Sequence, residues 1–172
     1  GLRLYRDEAR VASIHGYVFP VGKEMPETFF LRGADCWGWA TWERAWAHFQ
    51  PDGGKLLEEL SRKELTRSFD LDGSYPYTKM LRNQIAGKNN SWAIRWRASC
   101  YLSDMLTLYP GRSLVNNIGM DNSGEHCSTT DAFFQVTAIN PIVVKRQLLE
   151  EDAYARRAFA ELISSITEAS SS

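Results

Sequence analysis

The chain has 172 residues, with Lys plus Arg 20 against Asp plus Glu 21 and a formal net charge of -1 at pH 7. That length fits one domain with a real hydrophobic core, and the balanced charge lacks the basic footprint of a nucleic-acid binder. Cys36, Cys100 and Cys127 form no CxxC or Cys/His spacing, no apolar run approaches the roughly 20 residues of a membrane span, and the start lacks the apolar core of a signal peptide. The expectation is a soluble cytoplasmic protein with reduced thiols.

In chain order, residues 2–5 read as the last turn of a helix, 6–9 as a polar turn, and 11–19 as a strand. Ile14, Gly16 and Val18 fall on one face of it and His15, Tyr17 and Phe19 on the other. A chain that enters a strand this early looks truncated rather than begun. Four of the six tryptophans then fall within residues 37–46. Trp42, Ala45, Trp46 and Phe49 lie at i, i+3, i+4 and i+7, an amphipathic helix that "PDGG" at 51–54 stops. Trp42 and Trp46 thus have a structural explanation, whereas Trp37 and Trp39 sit in the loop ahead of the stripe.

A second helix over 55–65 buries Leu56, Leu57 and Leu60 and offers Glu58/Arg62 and Glu59/Lys63 pairs. A third runs over 78–86 to Gly87. A fourth is capped by Asn90 or Ser91 and stacks Trp92, Trp96 and Cys100 up to about residue 103. "MLTLYP" at 105–110 is a short strand, and "SLVNNIG" is an apolar run that breaks into the polar loop "MDNSGEHC". The last helix starts with Asn140 as cap and Pro141 at its first position, with Val144, Leu148, Ala155, Phe159, Leu162 and Ile166 as its stripe. One unit over 1–168 and a disordered Ser-rich tail over 169–172 complete the organisation.

"CWGWATWERAW", then "SWAIRW", "LTLYPGRSLVNNIG" and "SGEHC", in that order over about residues 5–130, resemble the carboxy-terminal half of bacterial family 2-type glycosyltransferases with the GT-A fold. The resemblance implies an α/β unit, an incomplete GT-A-like fold with a short mixed sheet and several packed helices. It further implies transfer of a sugar from a nucleotide-sugar donor to a saccharide hydroxyl in surface-polysaccharide synthesis, in the cytoplasm or at the inner face of the membrane. An amino-terminal half would hold the donor through a divalent metal, Mn or Mg, on an Asp-x-Asp element. Read alone, the 172-residue chain should have no transferase activity.

Such chemistry needs a carboxylate to take the proton of the attacking hydroxyl and flat aromatic faces to cover sugar rings. Trp37 and Trp39 suit the second need, against the plainer reading that both indoles pack under the loop. Family 2 enzymes commonly place an acidic pair where this chain has Asn89, Asn90 and Ser91, just before Trp92. Asn90 and Ser91 therefore mark the catalytic position, but an amide accepts no proton at neutral pH. Either the base has moved, with Asp35 beside the Trp loop the nearest candidate, or the reaction uses another route; the plainer reading of Asp35 is a residue that caps or pairs with Arg32 or Arg44. His126 and Asp121, with Glu125 nearby, are the metal candidates, or His126 is an exposed loop histidine.

Asp70-Leu71-Asp72 is rejected as the metal motif because it lies between helices beside a D-G turn. Tyr75, Tyr77, Lys79 and Arg82 can line a polar groove, or Tyr75-Pro76-Tyr77 simply anchors the turn. Arg95 can meet a phosphate or pair with Asp104. His15 and His48 read as structural or exposed. Two other classes stay open: a non-catalytic carbohydrate-binding or interaction module, and a metal-dependent hydrolase built on Asp121, Glu125 and His126. The oligomeric state has no signal.

Overall fold

A computed structural model describes residues 1–116 and 136–169, with side chains through 166. Its centre is a mixed four-stranded sheet in the order β2-β4-β1-β3, from β1 (Val11–His15), β2 (Thr28–Arg32), β3 (Trp39–Thr41) and β4 (Leu106–Pro110). β1 and β4 run parallel, with Ile14 opposite Leu108. β2 is antiparallel to β4 and β3 antiparallel to β1. The helices are α1 (Glu43–Trp46), α2 (Gly53–Arg62), α3 (Thr66–Phe69), α4 (Tyr77–Ile85), α5 (Trp92–Leu102) and α6 (Ala153–Ala169). The chain is thus mixed α/β with a short mixed sheet and several packed helices.

Alternating residues of the strands divide the core. Phe29, Leu31 and Tyr109 face α6 through Phe159 and Ile163. Phe30, Leu106 and Leu108 face the other way, onto Tyr5, Leu4, Val144 and Leu149. Beside the sheet, α2, α4 and α5 bury Leu56, Leu60, Leu81, Ile94 and Ala98 together with Phe69 and Tyr101. Asp52 caps α2 by accepting from the N–H groups of Gly54 and Lys55, and Ser91 caps α5 by accepting from Ile94. Of the expected ion pairs on α2, Glu59–Lys63 forms at 3.5 Å; Arg62 turns to Glu59 instead of Glu58.

Several expected elements change. The strand over 11–19 ends at His15, because the Gly16 N–H donates to the Gly38 carbonyl at 2.6 Å rather than to a ladder partner. Residues 2–7 form turns, closed by the Tyr5 N–H on the Gly1 carbonyl. The helix expected over 42–49 is the single turn of α1, continued by i to i+3 bonds from His48 and Phe49. β2 has no counterpart among the expected elements, because the apolar run of "TFFLR" is only Phe29, Phe30 and Leu31, too short for periodicity to assign.

The last helix starts not at Pro141 but at Ala153, where the Asp152 carboxylate accepts the Ala155 N–H at 2.8 Å. Residues 141–152 are irregular: Ile142, Val143 and Val144 are a β-branched run that disfavours helix, and Val144 and Leu149 gain more by packing on the sheet. Leu148, expected on the buried stripe, is exposed. Ala169, assigned to a tail, closes α6. This late segment fastens the two chain ends. Tyr5 Oη donates to the Lys145 carbonyl, Arg146 to the Leu4 carbonyl and Arg10 to the Leu149 carbonyl. The open edge of β2 is covered too, with the Asp152 N–H on the Phe30 carbonyl and the Arg32 N–H on Glu151.

Candidate functional site

Residues 33–38 carry the chain from the end of β2 to the start of β3, and every step of their path is fixed. Gly33, at φ +90°, donates its N–H to the Met105 carbonyl and accepts from Thr107 Oγ1, both at 2.8 Å. The Asp35 carboxylate then accepts the Cys36 N–H at 2.8 Å. Trp37 donates its N–H to His15 Nε2 at 3.3 Å, and Gly38 accepts from Gly16. Since Arg32 lies opposite Leu106 and Trp39 opposite His15, the segment climbs to the carboxyl end of the parallel pair β1 and β4. Open α/β sheets place ligands beyond those ends.

Gly38 is required there. It adopts φ +56°, and a Cβ on it would lie 2.5 Å from Val115 Cγ2. Gly38→Ala is therefore expected to cost about 1–2 kcal/mol in backbone strain alone, more if Val115 cannot move, read as a lower urea midpoint at unchanged slope.

Beneath this segment Asp35, Tyr77, Arg97 and Tyr109 line a narrow, partly open cavity of about 20 Å³, roughly the room of one water. The Arg97 guanidinium sits 3.8 Å over the Tyr77 ring. Its Nε is buried with no hydrogen-bond partner among the described residues, and Nη1 reaches the Ala34 carbonyl only at 3.5 Å. Burial, reinforced by the Asp35 charge, pushes the Tyr17, Tyr75, Tyr77 and Tyr109 phenols up, so all four are neutral donors at physiological pH. Burial and Asp35 also push the Cys36 thiol up to about 12, which leaves it inert as a nucleophile. The site holds the Asp35 and Glu151 carboxylates, the Arg32, Arg97 and Arg156 side chains and the Tyr77 and Tyr109 phenols; Glu151 is already taken by Arg156 and the Arg32 N–H.

The candidates from the sequence separate into two groups. Asp35, Trp37, Tyr75 and Tyr77 belong to this site. Trp37 packs edge-on to Tyr17 at 4.9 Å, and the Tyr75 and Tyr77 rings are 4.4 Å apart. Trp39 is not a loop residue beside Trp37. It opens β3, and the left-handed turn at Gly38 sends its ring to Trp92 at 5.7 Å and Trp96 at 6.1 Å. Trp46 joins them, 4.9 Å from Trp96 and stacked on Phe49. Trp46 and Trp92 keep 40% and 41% exposure, so this second group is a tryptophan cluster with an open rim. Trp42 lies apart, under the Arg44 guanidinium.

Asn90 is exposed, Asn89 Oδ1 accepts the Ser91 N–H at 3.1 Å, and the Ser91 hydroxyl is spent on the helix cap. Arg95 donates to the Pro51 and Ser91 carbonyls, not to Asp104, which pairs with Arg10 and Arg32. Neither Arg32 nor Arg44 pairs with Asp35: Arg44 donates to the carbonyls of Tyr5, Arg6 and Val11. Lys79 and His48 are exposed. Asp70 accepts the Thr78 N–H and Asp72 pairs with Arg156, so both are used structurally.

Asp121, Glu125 and His126 lie outside the described residues. Among the described residues no group of three His, Cys, Asp or Glu can hold a metal, and no helix is long and apolar enough to cross a membrane. No protein-family model matches the chain, and no curated protein or solved structure does.

Of the two readings of His15, structural or exposed, the buried ring bears out the first; Arg97, Tyr17 and Tyr109 are site residues that the sequence does not single out. A signal existed for Arg97. α5 buries Ile94, Trp96, Ala98, Cys100 and Tyr101 around most of its circumference, and a helix apolar all round is interior. A guanidinium embedded in such a helix is a site residue until shown otherwise.

Proposed function

We propose that the chain is the acceptor-side part of a GT-A glycosyltransferase of the family 2 type, moving a hexose from a nucleotide-sugar to a saccharide hydroxyl in cell-surface polysaccharide synthesis. The work would be done in the cytoplasm or at the inner face of the membrane. The observation that carries this reading is the convergence of Asp35, Arg97, Tyr77 and Tyr109 on one cavity, with the Trp37 ring packed on Phe19 at its wall. Asp35 is the group able to take the hydroxyl proton. Trp37 offers a rigid face to a sugar ring, and Arg97 holds positive charge near a polar substrate.

The test is release of nucleoside diphosphate by the full-length protein from a panel of nucleoside-diphosphate hexoses, with free disaccharides as acceptors. Trp37→Ala is expected to raise the acceptor KM at least about tenfold with the fold retained. Trp39→Ala, in contrast, loses stability first, because its ring is packed between Trp92 and Trp96. A second reading, a non-catalytic carbohydrate-binding module, is favoured by one observation: the amides of Asn89 and Asn90 and the capping Ser91 leave the expected acidic position without a base. Saccharide binding that ignores nucleotide and metal, with no turnover, would establish it instead.

A further inference from the structure

His15 is buried at 3% exposure, and both of its ring nitrogens are committed. Nδ1 lies 3.2 Å from the Tyr17 carbonyl, and Nε2 receives the Trp37 N–H at 3.3 Å. A carbonyl only accepts and a backbone N–H only donates. The two contacts together therefore require a neutral imidazole protonated on Nδ1. A second proton on Nε2 would set an N–H against an N–H and break the bond to Trp37.

Charged and titratable neighbours face the ring from each packed element. Asp35 faces it from the 33–38 segment, Arg97 from α5, and Tyr109 from β4 with its ring 4.8 Å away. Burial holds the imidazole below its ordinary value of 6.5; the Asp35 charge and the carbonyls of Tyr17 and Asp35 oppose that shift, and Arg97 adds to it.

We propose that His15 is a positioning residue: its neutral imidazole pins Trp37 and the adjoining Asp35 in the site, and acidification releases them. The consequence for substrate rests on the glycosyltransferase reading; the pinning itself does not. Because the folded value lies below the unfolded one, the stabilisation by neutral His15 is complete above about pH 6.5 and is lost as pH falls from there toward the folded value.

The experiment is nitrogen-15 NMR of the whole chain. Above the ordinary histidine pKa the His15 ring should show Nδ1 protonated and Nε2 bare. The exchange protection of the Trp37 amide should fall about tenfold in step with the His15 titration. His15→Gln, which supplies an acceptor oxygen that does not titrate, should keep that protection across the same range, and His15→Phe should lack it throughout. In the transfer assay the acceptor KM should rise on acidification in the wild type and stay flat in His15→Gln. An Nε2-protonated ring at neutral pH, or Trp37 protection indifferent to the His15 titration, overturns the proposal. The amide readout needs no substrate, so its failure is distinct from that of the glycosyltransferase reading.

Discussion

If the chain acts as the glycosyltransferase proposed above, replacing Asp35 by asparagine is expected to lower kcat for saccharide transfer by about 10²- to 10⁴-fold, the range a positioned general base contributes, while acceptor KM and thermal stability change little. The substitution is nearly isosteric, and its Oδ1 still accepts the Cys36 N–H that the carboxylate accepts at 2.8 Å. What the amide loses is the ability to take a proton at neutral pH. Asp35→Ala should add a folding defect, because the Cys36 N–H then loses its acceptor, and the comparison separates the chemical role from the structural one. Transfer by Asp35→Asn at the wild-type rate would remove Asp35 from the mechanism.

The second large effect is on stability. Trp96→Ala should cost about 3–5 kcal/mol, a large part of the 5–15 kcal/mol that typically holds a domain together. The ring is fully buried between Ala12, Ala34, Ala45, Cys100 and Met105, with the Trp39 and Trp46 rings beside it. Trp96→Phe is the sharper variant. The indole N–H of Trp96 is buried with no hydrogen-bond partner among the described residues, and such a group is itself a cost of about 1–3 kcal/mol. Phenylalanine removes that cost while keeping much of the volume, so urea denaturation should find it far closer to the wild type than its size difference suggests. Equal losses for Ala and Phe would mean that the N–H is satisfied in solution.

Local signals in the sequence carried α2, α4, α5 and β4, because each has a cap, a breaker or a clear period: the Leu56, Leu57 and Leu60 stripe of α2, Ser91 at the start of α5, Gly87 after α4, Pro110 at the end of β4. They failed where tertiary contacts decide. Asn140-Pro141 is a sound helix-start signal, yet Val144 and Leu149 are held on the sheet by Leu106, about forty residues away along the chain, and by Tyr5, about a hundred and forty away. The site was legible in its unusual residues, Asp35 and Trp37, and in the tyrosines of "SYPY". It was not legible in its geometry. Trp37 and Trp39 look like a pair, and only the left-handed turn at Gly38 shows that they serve different clusters. His15 reads as one more strand residue until the Trp37 N–H is seen to end on its ring.

The fastening of residues 4–10 by residues 145–149, and of the β2 edge by Glu151 and Asp152, bears on how the protein is made. During synthesis all four strands leave the ribosome before residue 111, but the segment that covers one face and seals the edge comes some thirty to forty residues later. For those seconds at about 5–20 residues per second the nascent chain displays an apolar sheet face and an unpaired strand, the combination that chaperones shield. The protein's yield in the cell should therefore depend more on translation speed and chaperone supply than the stability of the finished fold alone would suggest.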